Sequence, residues 1–117
     1  MAEEIIGLIH GQVPGSTEEW RVAVALERYK IDYSYQVPLF GGRLPGGQIL
    51  DFVVYIPFPT PLQVFGKYWH STQTSGAESL AVAALMRYYE REPIIIWDYE
   101  IPDQEEANKV VKERVKG

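Results

Sequence analysis

The chain has 117 residues, 46% of them hydrophobic and 13% aromatic, with no cysteine and a formal net charge of −5. That length fits one domain with a real core, which excludes intrinsic disorder, and the missing cysteines exclude a disulfide scaffold, a thiolate metal site and a cysteine nucleophile. Eleven Lys and Arg against 16 Asp and Glu count against a protein held to nucleic acid by bulk charge, though a local basic groove stays open. The longest apolar runs are too short for a membrane span, and Met1-Ala2-Glu3-Glu4 carries acids where a signal peptide needs positive charge, so an intracellular, cytoplasmic protein is expected.

In chain order, residues 1–15 read as a short apolar arm, Ile5 to Ile9, and a Gly/Pro turn from Gly11 to Gly15. Ser16-Thr17-Glu18-Glu19 has the form of a capping box, and Val22, Ala23, Leu26 and Tyr29 follow at helical spacing, predicting a helix to about Lys30. Three strand-like runs come next. Ile31 to Leu39 alternates Tyr33, Tyr35 and Val37; after a glycine-rich connection, Gly41 to Gly47, Ile49 to Ile56 is apolar except at Asp51. Pro57, Pro59 and Pro61 predict a stiff loop outside any central strand, with the third strand from Leu62 to Tyr68. A helix over about Ala77 to Arg91 ends before Pro93, Ile94 to Trp97 is a short apolar strand of the kind buried under helices, and a polar helix spans about Asp103 to Lys116.

The predicted fold class is α/β: an αβββαβ core with a mixed four-stranded sheet flanked by helices, plus a C-terminal helix, in a single domain of residues 1–117. The first three strands are short-linked and should form an antiparallel meander. The helix after them allows a right-handed crossover to a parallel neighbour.

Asp51 is the most conspicuous polar residue, because an ionised carboxylate on an otherwise apolar strand costs several kcal/mol unless it is paired. Its plain alternative is a strand-end acid pointing into solvent or capping the glycine loop. His70 shares a strand end with Lys67, Tyr68 and Trp69, whereas His10 has no such company and reads as structural. Glu19 faces the sheet side of the first helix, where capping alone would account for it; Glu18 is the neighbouring alternative. Glu78 has an equally plain account at a helix start, and Gln63 in mid-strand could simply bond a neighbour. There is no GxxxxGK[ST], HExxH, GxSxG or zinc spacing, and the paired glycines at 41–42 and 46–47 open no helix, so a dinucleotide site is not expected.

Taken together, an acidic helix ahead of a meander, Asp51 opening the second strand, and Gly66-Lys67-Tyr68-Trp69-His70 placed 15 residues after Asp51 resemble the PD-(D/E)XK, restriction-endonuclease-like superfamily. The closer similarity is to its branch of very short patch repair endonucleases and related homing-type nucleases. The resemblance covers about residues 16–101 and implies a metal-dependent endonuclease acting on DNA, with Mg²⁺ or Mn²⁺ as cofactor. It implies that Asp51 binds the metal, that His70 acts as general base or assists the attacking water, and that Glu19 (or Glu18) holds the metal through water; Glu78 lies where some relatives carry an Asp. Gln63-Val64-Phe65 stands where the superfamily has (D/E)xK, which the closer branch also lacks. The resemblance then implies a main-chain carbonyl near Gln63 or Val64 as a ligand, and Lys67 as the candidate substitute for the missing lysine.

Such a set suits phosphodiester hydrolysis, which needs a divalent ion on the phosphate and a group to take a proton from water. Arg43, Lys67, Tyr68 and Trp69 are the candidate nucleic-acid contacts, with Lys30 a further cation expected to border the same strand edge and the acids Asp103, Glu105 and Glu106 expected away from it. A homodimer or a larger nuclease assembly would extend the grip of so short a chain. The competing readings are a catalytically degenerate nuclease-fold module that binds nucleic acid or a protein partner, and an α/β domain that takes a small ligand in the Gly41–Gly47 loop.

Overall fold

The computed structural model describes residues 4–38, 49–66, 87 and 89–117. Helix α1 (Thr17–Arg28) leads into strands β1 (Tyr33–Pro38), β2 (Ile49–Tyr55), β3 (Pro59–Phe65) and β4 (Ile94–Trp97). A 3-10 turn over Asp98–Glu100 connects β4 to helix α2 (Gln104–Val111), whose last turn, Lys112–Lys116, widens to π geometry. The four strands form one sheet in the order β1-β2-β3-β4. β1 and β2 pair antiparallel, as do β2 and β3, while β3 and β4 run parallel. The expected mixed α/β sheet is therefore present, with α1 and α2 on one face. Of the helix expected over 77–91, Arg87 and Tyr89 are helical, but Glu90 and Arg91 are not, because the chain turns left-handed at Glu90, φ 55°; residues 77–86 and 88, and the hand of the crossover, lie outside the described residues.

Local chemistry explains the helix ends. Ser16 is the N-cap of α1, its hydroxyl accepting the Glu19 N–H at 3.1 Å, and Asp103 caps α2 by accepting from Glu106 N–H at 2.8 Å. α1 stops two residues before the predicted Lys30 because the chain turns left-handed there, with Lys30 at φ 55°. The Lys30 N–H bonds the Glu27 carbonyl and the Ile31 N–H bonds the Leu26 carbonyl, the paired closure of a Schellman motif. Glycine suits that position better than lysine. Lys30→Gly is therefore expected to stabilise the protein by about 0.5–1 kcal/mol, read as a higher urea midpoint at unchanged slope. A midpoint at or below wild type would mean that the lysine side chain makes up the strain through its own contacts.

One core lies between the helices and the sheet. Val22, Ala23, Ala25 and Leu26 of α1 and Ala107 and Val111 of α2 pack against Tyr33, Tyr35, Phe52, Val54, Leu62 and Ile96, all buried. Phe52 is at its centre, with its ring 5.7 Å from Tyr33 and 5.1 Å from Tyr35. A second cluster, Leu50 and Val53 with Val37 and Tyr89, covers the other face. In β4 only Ile96 is fully buried, so this strand is less enclosed than its apolar sequence predicts.

The prolines depart from expectation. β3 starts at Pro59 and contains Pro61, although it lies between β2 and β4. The reason is register. Pro59 pairs with Tyr55 and Pro61 with Val53, whereas pairing with β4 begins only at Leu62, opposite Ile94. Along the proline stretch β3 is an edge strand on that side, and no ladder bond needs the missing N–H groups.

Candidate functional site

The strands do not keep one face throughout. Tyr35 opposes Phe52 in the main core, but the next same-parity pair, Val37 opposite Leu50, belongs to the second cluster. Both strands therefore roll over between those two rungs, at Gln36 and Asp51, where the β1–β2 ladder skips a pair. Gln36 has φ 54°, a left-handed backbone costing a non-glycine residue about 1–2 kcal/mol. Alternation would send Tyr35 and Gln36 to opposite faces; instead both side chains reach the same carboxylate, that of Glu19.

Glu19 sits in the first turn of α1. Its Oε1 accepts the Tyr35 hydroxyl at 2.6 Å and the Gln36 amide at 3.3 Å, and its Oε2 accepts the Ser16 hydroxyl at 3.2 Å. The capping box is thus half-used: Ser16 caps the Glu19 N–H, and the glutamate side chain is turned toward the sheet. Tyr35 in turn accepts the Gly15 N–H at 2.9 Å, and burial together with the Glu19 bond raises its hydroxyl above the ordinary tyrosine pKa. A Cβ at Gly15 would lie 2.9 Å from Glu19 Oε2, so a side chain there would displace the carboxylate.

Asp51 marks the place where β2 and β3 part. Their ladder ends at Phe52 opposite Leu62. At the next position two side-chain bonds replace it: the Asp51 N–H donates to Gln63 Oε1 at 2.8 Å, and the Val64 N–H donates to Asp51 Oδ2 at 2.8 Å. Burial of the carboxyl, reinforced by the nearby Glu19 carboxylate, pushes Asp51 up to about 7 although the Val64 bond pulls the other way. Among the described residues no cation pairs with either Asp51 or Glu19.

The predicted site residues are thus partly assembled. Asp51, Glu19, Gln63 and Val64 meet at one end of the sheet. Glu18 does not join them, lying instead 3.9 Å from Arg21, which also pairs with Glu4 at 3.0 Å. Gln63 is a tie between strands, its oxygen engaged by the Asp51 backbone. His70, Lys67, Arg43, Tyr68, Trp69 and Glu78 lie outside the described residues. Lys30 does not border the site: the stretch of α1 from Glu19 to Arg28 alone spans about 13 Å at 1.5 Å per residue. It lines instead a hollow of about 490 Å³ with His10, Glu27, Asp32, Tyr33 and Tyr55, at the opposite end of β1 and β2. His10 stacks on Tyr33 there, ring centroids 4.2 Å apart.

No family model, curated protein or solved structure matches this chain. The chemistry open to the site follows from its donor set. Among the described residues no group of three or more His, Cys, Asp or Glu is arranged to hold a metal. What is present is oxygen only: two carboxylates, the Gln63 amide and the main chain of β3. Hard oxygen donors of this kind suit Mg²⁺ or Mn²⁺. Tyr35 and Gln36 are the site residues that sequence reasoning missed; the alternation of Tyr33 and Tyr35 pointed to a core face only. Among the described residues no helix is long and apolar enough to cross a membrane.

Proposed function

We propose that the chain is a metal-dependent endonuclease that hydrolyses DNA phosphodiester bonds, with a restriction-endonuclease-like core. The observation that carries the reading is the buried Asp51 carboxyl at the rung where β2 and β3 part, close enough to the Glu19 carboxylate to be raised by it and without a described cation beside either. Two carboxylates held together away from bulk water repel each other, and a divalent ion removes that cost. Asp51 would hold the ion directly and Glu19 through water, completed by a main-chain oxygen near Gln63 or Val64. Bound there, the ion would supply charge to the scissile phosphate and acidity to a water molecule.

The chain's own residues do the positioning. The paired bonds between Asp51 and residues Gln63 and Val64 fix the carboxylate relative to the strand end, and three side-chain donors hold the Glu19 carboxylate in place. His70, which follows β3 in sequence, is the proposed base that takes the proton. Lys67 and Arg43, flanking the same strands in sequence, are the proposed phosphate contacts, and Tyr68 and Trp69 the proposed base-stacking residues. A homodimer would widen this small footprint.

The direct assay is cleavage of supercoiled and linear duplex DNA by purified protein. Mg²⁺ or Mn²⁺ is expected to support nicking or cutting, and EDTA to stop it. Gln63 in place of a third acid, with the net charge of −5, favours the competing reading of a degenerate binding module. DNA binding with no cleavage in either metal would select that module, and neither binding nor cleavage would discard both.

A further inference from the structure

Resting on the metal-site reading above, we propose that Tyr35 is a positioning residue: together with Gln36 it holds the Glu19 carboxylate beside Asp51 and thereby sets the affinity of that pair for a divalent cation. A free glutamate at the start of a helix samples many rotamers, and freezing it costs entropy when a ligand binds. Here the cost is met before any ligand arrives. The Tyr35 hydroxyl lies 2.6 Å from Glu19 Oε1, in the range of a hydrogen bond to a charged acceptor, and its oxygen is already engaged by the Gly15 N–H. Its single proton is therefore committed to Glu19. The side-chain-free Gly15 lets the other carboxylate oxygen lie against the backbone.

The second observation is the backbone of Gln36. An extended residue there would carry its amide to the face opposite Tyr35; the left-handed conformation brings it onto the same Glu19 oxygen, 3.3 Å away. An uncommon conformation for a non-glycine residue is thus spent at the break in the β1–β2 ladder, the break that also takes in Asp51.

The molecule contains its own control. Tyr33, two residues earlier in β1, is equally buried, also packs on Phe52, and also donates to an α1 glutamate, Glu27, at 3.0 Å. Glu27, near the other end of α1, has no part in the Asp51 site. Loss of the Tyr33 hydroxyl therefore removes a comparable bond without touching the proposed cation site.

The experiment is a Mn²⁺ titration of the full chain, followed by isothermal calorimetry and by the electron paramagnetic resonance signal of free Mn²⁺, with circular dichroism and thermal melting on the same samples. Tyr35→Phe is expected to weaken Mn²⁺ binding about 10–100-fold, the usual effect of losing a bond to a metal-holding side chain, and Tyr33→Phe to bind as wild type. Gln36→Gly is the second variant. Glycine accepts the left-handed backbone, so the fold is kept while one donor is lost, and affinity should fall several-fold. Tyr35→Phe binding Mn²⁺ like wild type, or Tyr33→Phe losing as much, would overturn the positioning role and leave the metal site standing. If Tyr35→Phe does not fold, Gln36→Gly decides by the same criterion. A wild-type chain that binds no Mn²⁺ would overturn the metal site and this inference with it.

Discussion

Asp51→Asn should abolish divalent-metal-dependent DNA cleavage, by about 10³-fold or more, while leaving a folded protein. The size of the loss follows from removing the proposed direct ligand, since a metal supplies several kcal/mol of charge stabilisation and each 1.36 kcal/mol is tenfold in rate. The fold survives because the asparagine oxygen can still accept the Val64 N–H that Asp51 Oδ2 accepts at 2.8 Å. The same variant carries a signature in pH. Asp51 is raised from its ordinary 3.8 to about 7 in the folded chain, so the unfolded chain gives up the proton first. Its contribution to stability is fully present below about pH 4 and is lost as pH rises toward 7, with an upper bound of roughly 4 kcal/mol at 1.36 kcal/mol per pKa unit. The difference in stability between Asp51→Asn and wild type should therefore shift in favour of the variant as pH goes from 4 to 8. Added Mg²⁺ should recover the wild type at pH 8 and not the variant. Urea midpoints across that range measure all of this; a difference that does not change with pH would show that Asp51 titrates normally.

Phe52→Ala should destabilise the protein by about 3–5 kcal/mol, the range for emptying a buried aromatic site. Phe52 is fully buried between the Tyr33 and Tyr35 rings, and it is also the last rung of the β2–β3 ladder, opposite Leu62. Against a total of about 5–15 kcal/mol for a small domain, that loss should bring the urea midpoint down sharply. A loss under about 1 kcal/mol would mean that Tyr33 and Tyr35 collapse into the vacated space. The mutation also loosens Asp51, its chain neighbour, so metal affinity should fall with stability here, whereas Asp51→Asn separates the two.

The parts of the fold written in local chemistry were legible in the sequence. Ser16 and Glu19 announced the start of α1 through side-chain type and spacing, and Ile94 to Trp97 is found as β4 with the predicted ends. Asp51 was also legible as unusual, because a lone carboxylate in an apolar strand needs a reason, whereas its link to a first-helix glutamate came from the family resemblance and not from the spacing of the residues. What stayed hidden depends on neighbours in space. Nothing in Gln36 signals a left-handed residue, which glycine or asparagine would have done, so the rollover of β1 and the second use of Glu19 were out of reach. Pro59 and Pro61 were misplaced for the same reason: whether a proline is tolerated depends on where pairing with the next strand begins, and β4 pairs with β3 only from Leu62, opposite Ile94.

Those prolines bear on how copies of the chain could associate. A bare strand edge is a template on which another strand can grow, and sheets that leave one open tend to polymerise. The stretch of β3 ahead of β4 offers two residues that cannot donate, and the outer strand β1 is broken at Gln36 by its turned backbone. β4, the other outer strand, is four residues long. Each margin of the described sheet is thus blunt to a seventeen-ångström-scale partner strand of the usual length of about five residues. Self-association by extending the sheet is disfavoured, and any dimer would have to meet through side chains rather than through main-chain ladders.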